Sequence, residues 1–287
     1  MAEYTINQFS KITGLNKILI RTWENRYNFI EPRRTSTNIR LYDENMLNLG
    51  IKYAILVENG YKISKLVNYE KRNLDSLIEK TLQISENNEN KNKIYIARFI
   101  ESAILFDQDL FEKTYAICIK RLGLVNFYKD ILIRTMNRIS ILYLNSKISP
   151  GNEHFLSENI RIKLAYEIEK KDTATKGDLW VLFLPENEYH DIGLLFTYLI
   201  LKIKKQRVIY LGQNVPRESL IELNKQKVNF LFFINTKRQK DFTKNLYNYI
   251  NNKNCKIYVI DKFRSLENKY SNFIKISNIN KFLDLFK

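Results

Sequence analysis

Residues 178–193 have the sequence DLWVLFLPENEYHDIG, which indicates the fold of the C-terminal part of the chain. The apolar run Leu179–Leu184, bounded by a glycine and a proline, predicts a fully buried strand of a parallel sheet. A polar loop over residues 186–191 follows, and a second apolar run over residues 192–203 predicts a helix. Ligands of open α/β sheets bind at the carboxyl ends of the strands. This loop is therefore the candidate ligand site.

His190 is the residue of that loop with the clearest chemistry. Glu188 precedes it by two positions, and a carboxylate that orients the far imidazole nitrogen is the usual partner of a metal-binding histidine. Gly193 has no side chain and lets a bulky group approach the start of the helix. The alternative is that His190 is an ordinary polar loop residue. The chain contains two histidines, and the other is His154.

Apolar runs and helical segments alternate from Gly177 to the end of the sequence. This alternation predicts a doubly wound parallel α/β sheet with right-handed crossovers. Helices are expected after the first strand, from Glu218, from Lys240 and after the last strand. The predicted strands are Leu179–Leu184, Arg207–Leu211, Phe230–Ile234, Lys256–Ile260 and Phe273–Ile276.

The composition is that of a globular protein. The 287 residues are 45% hydrophobic and 27% charged, and this length favours two or three compact units. No apolar run approaches the roughly 20 residues that span a bilayer, and the N-terminus lacks the features of a signal peptide, so we expect a cytoplasmic protein. Cys118 and Cys255 match no metal or redox spacing and are interpreted as small buried hydrophobes.

The net charge of +16 suggests a nucleic-acid partner, but the charge is unevenly distributed. Most of the excess lies in residues 200–287. Because the chain is rich in Lys, Asn and Ile throughout, compositional bias explains this basic segment at least as well as a second polyanion-binding surface.

The N-terminal residues have the spacing of a helix-turn-helix. Residues 4–12 predict a short amphipathic helix, Thr13 and Gly14 a tight turn, and Lys17–Tyr27 a second helix. On the second helix apolar and basic side chains fall on opposite faces, so that one face can pack while the other meets DNA. A generic two-helix hairpin would show the same pattern.

The segment that follows favours DNA binding. Residues 33–42, RRTSTNIRLY, are basic and rich in Thr, Ser and Asn, as expected for a hairpin wing that contacts phosphates. Asp43 then predicts the N-cap of another helix, which runs to about Asn59.

Residues 21–47, RTWENRYNFIEPRRTSTNIRLYDENML, resemble the recognition helix, wing and following helix of the MerR family of winged-helix regulators. The resemblance covers residues 4 to about 70 and implies phosphate contacts from Arg21 and Arg40 and a bracing position for Tyr42. The DNA-binding residues that it implies are Lys17 and Thr22 near base edges, together with Arg21, Arg33, Arg34, Asn38, Arg40 and Tyr42.

The middle of the chain is helical. Residues 70–85 predict a helix, residues 86–93 a polar joint without structure, and residues 94–171 four helices of a bundle with breaks near Asp107, Gly123 and Ser149. Members of the family usually dimerise through a helix near the joint, but no sustained heptad is visible here, so a dimer would be held elsewhere. The expected domains are a winged helix-turn-helix over 1–75, a four-helix bundle over 94–172 and the α/β domain over 177–287.

The pattern Glu188-x-His190-x-x-Gly193 resembles the cobalamin-binding signature, whose histidine is the lower axial ligand of cobalt. The sequence that follows is similar to the cobalamin-binding branch of MerR-type regulators. In that branch a four-helix bundle covers the upper face of the corrin and carries an aromatic residue followed ten and eleven positions later by Glu-His. The positions that the resemblance assigns to a corrinoid are Tyr143, Glu153, His154, Glu188, His190, Gly193 and Asn235, with His190 as the metal ligand.

Three positions depart from that pattern. Tyr143 replaces the usual Trp of the upper face. Asn235-Thr236-Lys237 replaces a Ser-x-Leu segment that lines the channel for the nucleotide tail, and Asp261-Lys262 replaces a Gly-Gly pair. A charged pair in place of two glycines is expected to obstruct the tail.

The resemblance implies a transcriptional regulator, not an enzyme. Such a regulator binds a double-stranded DNA operator and associates with further copies of itself into a dimer or higher oligomer. The cofactor that the resemblance implies is cobalamin or another corrinoid, which in the related proteins holds the oligomer on DNA until light cleaves the cobalt–carbon bond. One alternative is a MerR-type regulator with a cofactor-independent oligomerisation or partner-binding module. Another is a cobalamin enzyme, for which the residues after Gly177 leave no room for a substrate-binding barrel.

Overall fold

The computed structural model describes residues 3–69, 71–84, 88–144, 148–173, 176–225, 227–235, 242–250, 255–261 and 273–286. The chain forms two compact units, Met1–Ser157 and Glu158–Lys287. The winged helix and most of the expected bundle lie in the first unit, and the division between the units falls within the helix Pro150–Glu169. Within the part that the structure describes, no helix is long and apolar enough to cross a membrane.

The first unit begins with a winged helix-turn-helix. Its three short strands form an antiparallel sheet in the order β1-β3-β2. The first helix begins two residues later than expected because Tyr4 and Thr5 pair with Tyr42 and Leu41 as a strand. The elements are β1 (Tyr4–Thr5), α1 (Ile6–Thr13), α2 (Lys17–Tyr27), β2 (Arg33–Arg34) and β3 (Arg40–Tyr42).

Local capping sets the two helices of this motif. Thr5 and Gln8 form a capping box at the start of α1, and Gly14 ends the helix with a φ of 83°, a conformation that favours glycine. The side chain of Asn16 accepts a hydrogen bond from the backbone N–H of Ile18 and so caps α2.

The rest of the first unit is helical. Residues 88–93 belong to a helix rather than to an unstructured joint; their side chains are exposed or half-buried, and an acidic first turn supports a helix start there. The expected break at Gly123 is a kink, with a π-helical segment at Phe127–Leu132 after it. The helices are α3 (Glu44–Glu58), α4 (Ile63–Leu66), α5 (Lys71–Ile84), α6 (Asn88–Leu105), α7 (Gln108–Asn126), α8 (Ile133–Leu144) and α9 (Pro150–Glu169).

A buried ionic cluster joins three of these helices. Lys52 on α3 and Arg98 on α6 both contact Asp75 on α5, at 2.6 and 2.8 Å, and Arg98 also contacts Glu101 at 3.2 Å. Burial alone would raise the pKa of Asp75, but the hydrogen bond from Lys52 and the charge of Arg98 outweigh it and hold that pKa below its usual value. The cluster fixes α3, which follows the winged helix-turn-helix, to α5 and α6.

The second unit is a five-stranded parallel sheet in the order β5-β4-β6-β7-β8. The predicted doubly wound sheet is therefore confirmed. Its described elements are β4 (Leu179–Pro185), α10 (Ile192–Ile203), β5 (Arg207–Val215), β6 (Asn229–Ile234), α11 (Phe242–Ile250), β7 (Lys256–Asp261), β8 (Phe273–Ile276) and α12 (Ile279–Asp284).

The helix expected from Glu218 is replaced by two short 3₁₀ turns, Arg217–Leu220 and Leu223–Lys225. Leu220 is fully buried and Leu223 packs against the same core, whereas Ile221 between them is exposed.

The strand order places the ligand loop. The chain places β5 on one side of β4 and the later strands β6, β7 and β8 on the other side, so the strand order reverses between β4 and β6. Ligands of such sheets bind in the crevice at this point. Residues 186–191 follow β4 directly, so the loop with His190 lies at the carboxyl end of the strand beside the reversal.

Candidate functional site

A buried glutamate holds the wing to the recognition helix. Glu24 on α2 accepts a hydrogen bond from the hydroxyl of Tyr42 and another, of 2.7 Å, from Nε of Arg40, both on β3. Burial, followed by the hydrogen bond to Glu24, raises the pKa of Tyr42, so its hydroxyl remains a donor. The wing and α2 thus form one rigid surface.

Arg40, which is expected to contact a phosphate, forms an ion pair within the domain. Its side chain is 17% exposed and its guanidinium is paired with Glu24 inside the domain. Sequence spacing could not show this pairing because Glu24 and Arg40 are 16 positions apart. The structure gives Arg40 a role in holding the wing, beside the bracing position expected for Tyr42.

Other cations remain on the surface of this motif. Arg21 is exposed on α2, and Arg33 and Arg34 are exposed on β2. Arg33 pairs with Glu3 at 2.8 Å, a surface contact that is worth little in stability, and Arg34 donates to Asn38 at 2.6 Å. The exposed guanidinium groups give this face the positive charge that phosphates require.

Two expected base-edge residues donate to groups within the motif. Nζ of Lys17 donates to Oδ1 of Asn7 on α1 at 2.8 Å, and the hydroxyl of Thr22 donates to the backbone carbonyl of Ile18 at 2.8 Å. Ile18 itself is 74% exposed on this face. Sequence reasoning overlooked it, although it precedes Arg21 by three positions and Thr22 by four and therefore shares their side of the helix.

The ligand loop is closed by backbone contacts. The N–H of Glu188 donates to the carbonyl of Pro185 at 3.0 Å, and the N–H of Asn214, on the neighbouring strand β5, donates to the carbonyl of Glu188 at 3.1 Å. These bonds turn the chain immediately after β4 and fix the position of Glu188.

Glu188 orients the imidazole of His190. Its carboxylate is fully buried; Oε1 lies 2.7 Å from Nδ1 of His190, and Oε2 accepts the backbone N–H of Asn235 at 2.9 Å. The imidazole is 69% exposed. A carboxylate on Nδ1 fixes the tautomer and the ring orientation and makes Nε2 the nitrogen suited to a metal, as in metal-binding histidines.

Asp191 is another acidic residue of the loop, and the sequence predicted no role for it. Asp191 is buried and accepts hydrogen bonds from Nη2 and Nε of Arg161 on α9, at 2.8 and 3.2 Å. Partial burial acts against the charge of Arg161, but its hydrogen bonds to Asp191 and Glu158 hold its pKa above the usual value. Arg161 therefore anchors the residue next to His190.

The space beside Gly193 is filled by the protein itself. A Cβ atom on Gly193 would lie 2.9 Å from the ring of Phe233 on β6, so the close neighbour of this glycine is an aromatic side chain. Asn235 donates from its amide to the carbonyl of His190 at 3.2 Å. Asp261 ends β7, whereas Thr236, Lys237 and Lys262 lie outside the described residues.

The remaining expected corrinoid positions lie in the first unit. Tyr143 is exposed on α8. Glu153 is half-buried and His154 is exposed, both in the first turns of α9. His190 and Glu188 belong to the second unit.

Known proteins are similar to the N-terminal helix-turn-helix and to most of the chain. Residues 4–72 match the family model described as MerR HTH family regulatory protein. The chain is 24% identical over 224 residues to the HTH-type transcriptional repressor CarH of Myxococcus xanthus, covering 77% of this chain and 75% of that protein. It is 23% identical over 217 residues to the repressor CarA of the same organism, covering 75% and 70%.

Among solved structures, the monomethylamine corrinoid protein of Methanosarcina barkeri superposes with a TM-score of 0.52 at 15% identity, covering 67% of this chain and 94% of that chain. This likeness is one of fold. Together with the family match, it confirms the predicted multidomain fold class: a MerR-type helix-turn-helix, a helical region and a parallel sheet with the same fold as that corrinoid protein.

Proposed function

We propose that this chain, with its MerR-type helix-turn-helix, is a DNA-binding transcriptional regulator whose α/β domain binds a corrinoid through His190. The DNA-binding half is supported by the contact of Glu24 with Arg40 and Tyr42, which presents helix α2 and the wing as one cationic surface. The similarity to two transcriptional repressors supports the same conclusion.

The target is double-stranded DNA read by two copies of the chain. A recognition helix enters the major groove and reads few base pairs, so helix-turn-helix regulators gain specificity by binding two half-sites as a dimer. The exposed Arg21, Arg33 and Arg34 neutralise phosphates on either side of the groove.

An electrophoretic mobility assay over a series of salt concentrations tests this half. Arg21→Ala should weaken binding to every duplex and flatten the dependence of log affinity on log salt by about one unit. Lys225→Ala, an exposed cation of the second unit, is the matched control and should change neither quantity. Equal affinity and slope for Arg21→Ala and the wild type would overturn the assignment of α2 as the recognition helix.

The corrinoid half is supported by the geometry of His190. A single imidazole held through Nδ1 by a buried carboxylate suits a metal whose other ligands come from a macrocycle, and imidazole binds first-row transition metals well. A bound corrinoid would supply a cobalt centre with a light-sensitive cobalt–carbon bond. Tyr143, Glu153 and His154 are the further residues proposed to contact it.

The residues fit the lower face of a corrinoid better than they fit its nucleotide tail. Asn235 is bonded to the loop of His190, and Asp261 and Lys262 replace the two glycines that would make room for the tail. Displacing a charged pair costs affinity, and 1.4 kcal/mol is a tenfold loss. A corrinoid with a short or missing tail should therefore bind more tightly than cobalamin.

Absorbance titrations in the dark and after illumination test this half. Wild type, His190→Ala, Tyr143→Ala and the double variant Asp261→Gly/Lys262→Gly are each titrated with cobalamin and with cobinamide, which lacks the nucleotide. His190→Ala should abolish the spectral change, and Tyr143→Ala should affect only the alkyl-bound form. If neither the wild type nor the double variant responds to either corrinoid, the α/β domain acts without this cofactor.

A further inference from the structure

The recognition helix carries an exposed apolar side chain at the position where base edges are usually read. Ile18 is the most exposed large hydrophobic residue among those the structure describes, at 74%. It is the second residue of α2, and the N-terminal residues of a recognition helix are those that contact base edges. Isolated exposed hydrophobics are common on protein surfaces, so the surroundings of Ile18 decide its meaning.

Those surroundings fix Ile18 in place on a DNA-facing surface. The side chain of Asn16 caps the helix by accepting the N–H of Ile18 at 2.9 Å. Arg21 and Thr22, three and four positions later, lie on the same face and are both exposed. A cation that can contact a phosphate therefore flanks the apolar side chain.

Thr22 adds to the apolar character of this face. Its hydroxyl donates to the carbonyl of Ile18 at 2.8 Å, so the hydroxyl hydrogen is used within the helix. What Thr22 can still offer a base is its methyl group and an accepting oxygen. Ile18 and the methyl group of Thr22, one helical turn apart, form an apolar pair that we call the methyl-reading pair.

We propose that the methyl-reading pair recognises the C5-methyl group of thymine in the major groove of the operator. The side chain of Ile18 has no hydrogen-bonding group, and thymine is the base that presents a methyl group in that groove. The inference rests on the proposed DNA-binding function and names the base that each half-site must contain opposite the N-terminal turn of α2.

The test removes single methyl groups from DNA. Duplexes that the full-length protein prefers are first selected from a random pool, and each thymine of the half-site is then replaced by deoxyuridine. Loss of one buried methyl group should weaken binding by about three- to fivefold at one or two positions per half-site. At the remaining thymines the replacement should have no effect.

The same duplexes are then bound by variants. Ile18→Ala should bind the thymine duplex more weakly and lose the difference between thymine and deoxyuridine at those positions. Its salt dependence should match that of the wild type because no charge is removed. Ile162→Ala, which truncates another exposed isoleucine on α9, is the matched control and should keep the full difference. Thermal melts check that the variants are folded.

The outcomes separate the inference from the function on which it rests. If the wild type binds its selected duplex but no deoxyuridine replacement weakens it, or if Ile18→Ala retains the thymine preference, the inference is overturned and the DNA-binding function stands. If the selection enriches no sequence and no duplex is bound, the proposed function itself is overturned.

Discussion

The two units each contain a buried glutamate, and the partners of these residues differ. Glu24 in the first unit is bound by Tyr42, which is itself buried, and by Arg40, which is nearly so. Glu188 in the second unit is bound by a backbone N–H and by the imidazole of His190, which is largely exposed.

This difference separates a structural carboxylate from one that prepares a ligand. A buried carboxylate is costly unless it is paired and hydrogen-bonded. The contacts of Glu24 satisfy it with groups that remain inside the domain, so they stabilise the arrangement of the wing. The contacts of Glu188 hold an exposed imidazole in one orientation, so much of their benefit appears only when a ligand binds.

The largest effect is expected from Glu24→Ala. Removal of one partner of a buried pair leaves Arg40 and the hydroxyl of Tyr42 without their acceptor and should lower the free energy of unfolding of the first unit by about 3–5 kcal/mol. Urea unfolding, followed by hydrogen exchange of peptides from residues 17–42, measures this change. Glu31→Ala, at an exposed position of the same segment, should change stability by less than about 0.5 kcal/mol.

The corresponding change in the second unit should act on binding. Glu188→Ala should reduce affinity for a corrinoid by about 10- to 100-fold, because the orienting partner of a metal-binding histidine is lost. His190→Ala should remove binding and lower the free energy of unfolding by about 1–3 kcal/mol, less than Glu24→Ala does, because the buried carboxylate of Glu188 loses the imidazole but keeps the backbone N–H of Asn235. A loss of stability in His190→Ala as large as that in Glu24→Ala would remove the distinction between the two glutamates.

A smaller effect on binding is expected from Arg161→Met. This change keeps the length of the side chain but leaves Asp191 without its cation beside His190, and corrinoid affinity should fall by about tenfold. Arg161→Lys should recover part of the loss. Glu158→Gln, which removes the exposed partner of Arg161, should bind as the wild type does, and an equal loss in that variant would argue against a role for the contact with Asp191.

The smallest effect concerns the salt dependence of DNA binding. Since Arg40 is paired with Glu24 and largely buried, Arg40→Ala should leave the salt slope unchanged at temperatures where the first unit is folded, whereas Arg21→Ala flattens it. A mobility assay with both variants side by side measures the difference. A flatter slope for Arg40→Ala would mean that Arg40 leaves Glu24 to contact a phosphate.

The parts of the fold that follow from local signals were predicted well. Helix α2 spans Lys17–Tyr27 as expected, and Asp43 caps the next helix by accepting the N–H of Met46. Apolar runs located all five parallel strands. The runs are continuous in β4, β6 and β7 because these strands are buried on both faces, whereas β5 and β8 are edge strands and are more exposed. The helix expected from Glu218 was wrong: Leu220 and Leu223 reach the core of the sheet from two short 3₁₀ turns, whereas Ile221 between them is exposed.

The candidate site was less accessible to sequence reasoning. The pairing of Glu188 with His190 spans two positions and was anticipated from the metal-site pattern. The contacts of Arg161 with Asp191 and of Phe233 with Gly193 join residues at least 30 positions apart and arise only from packing. Ile18 was overlooked because an apolar residue on a helix is usually assigned to the core.

The parallel sheet has a consequence for the order of folding. Strand β4 lies between β5 and β6, and Trp180 is paired with both Val208 and Asn229. Because these partners are distant in sequence, β4 cannot be enclosed until the ribosome has released residues up to about the end of β6, whereas the elements of the winged helix-turn-helix all lie within residues 4–58. A nascent chain that stalls within α10 would therefore carry a folded DNA-binding motif and an apolar strand with both edges exposed to aggregation.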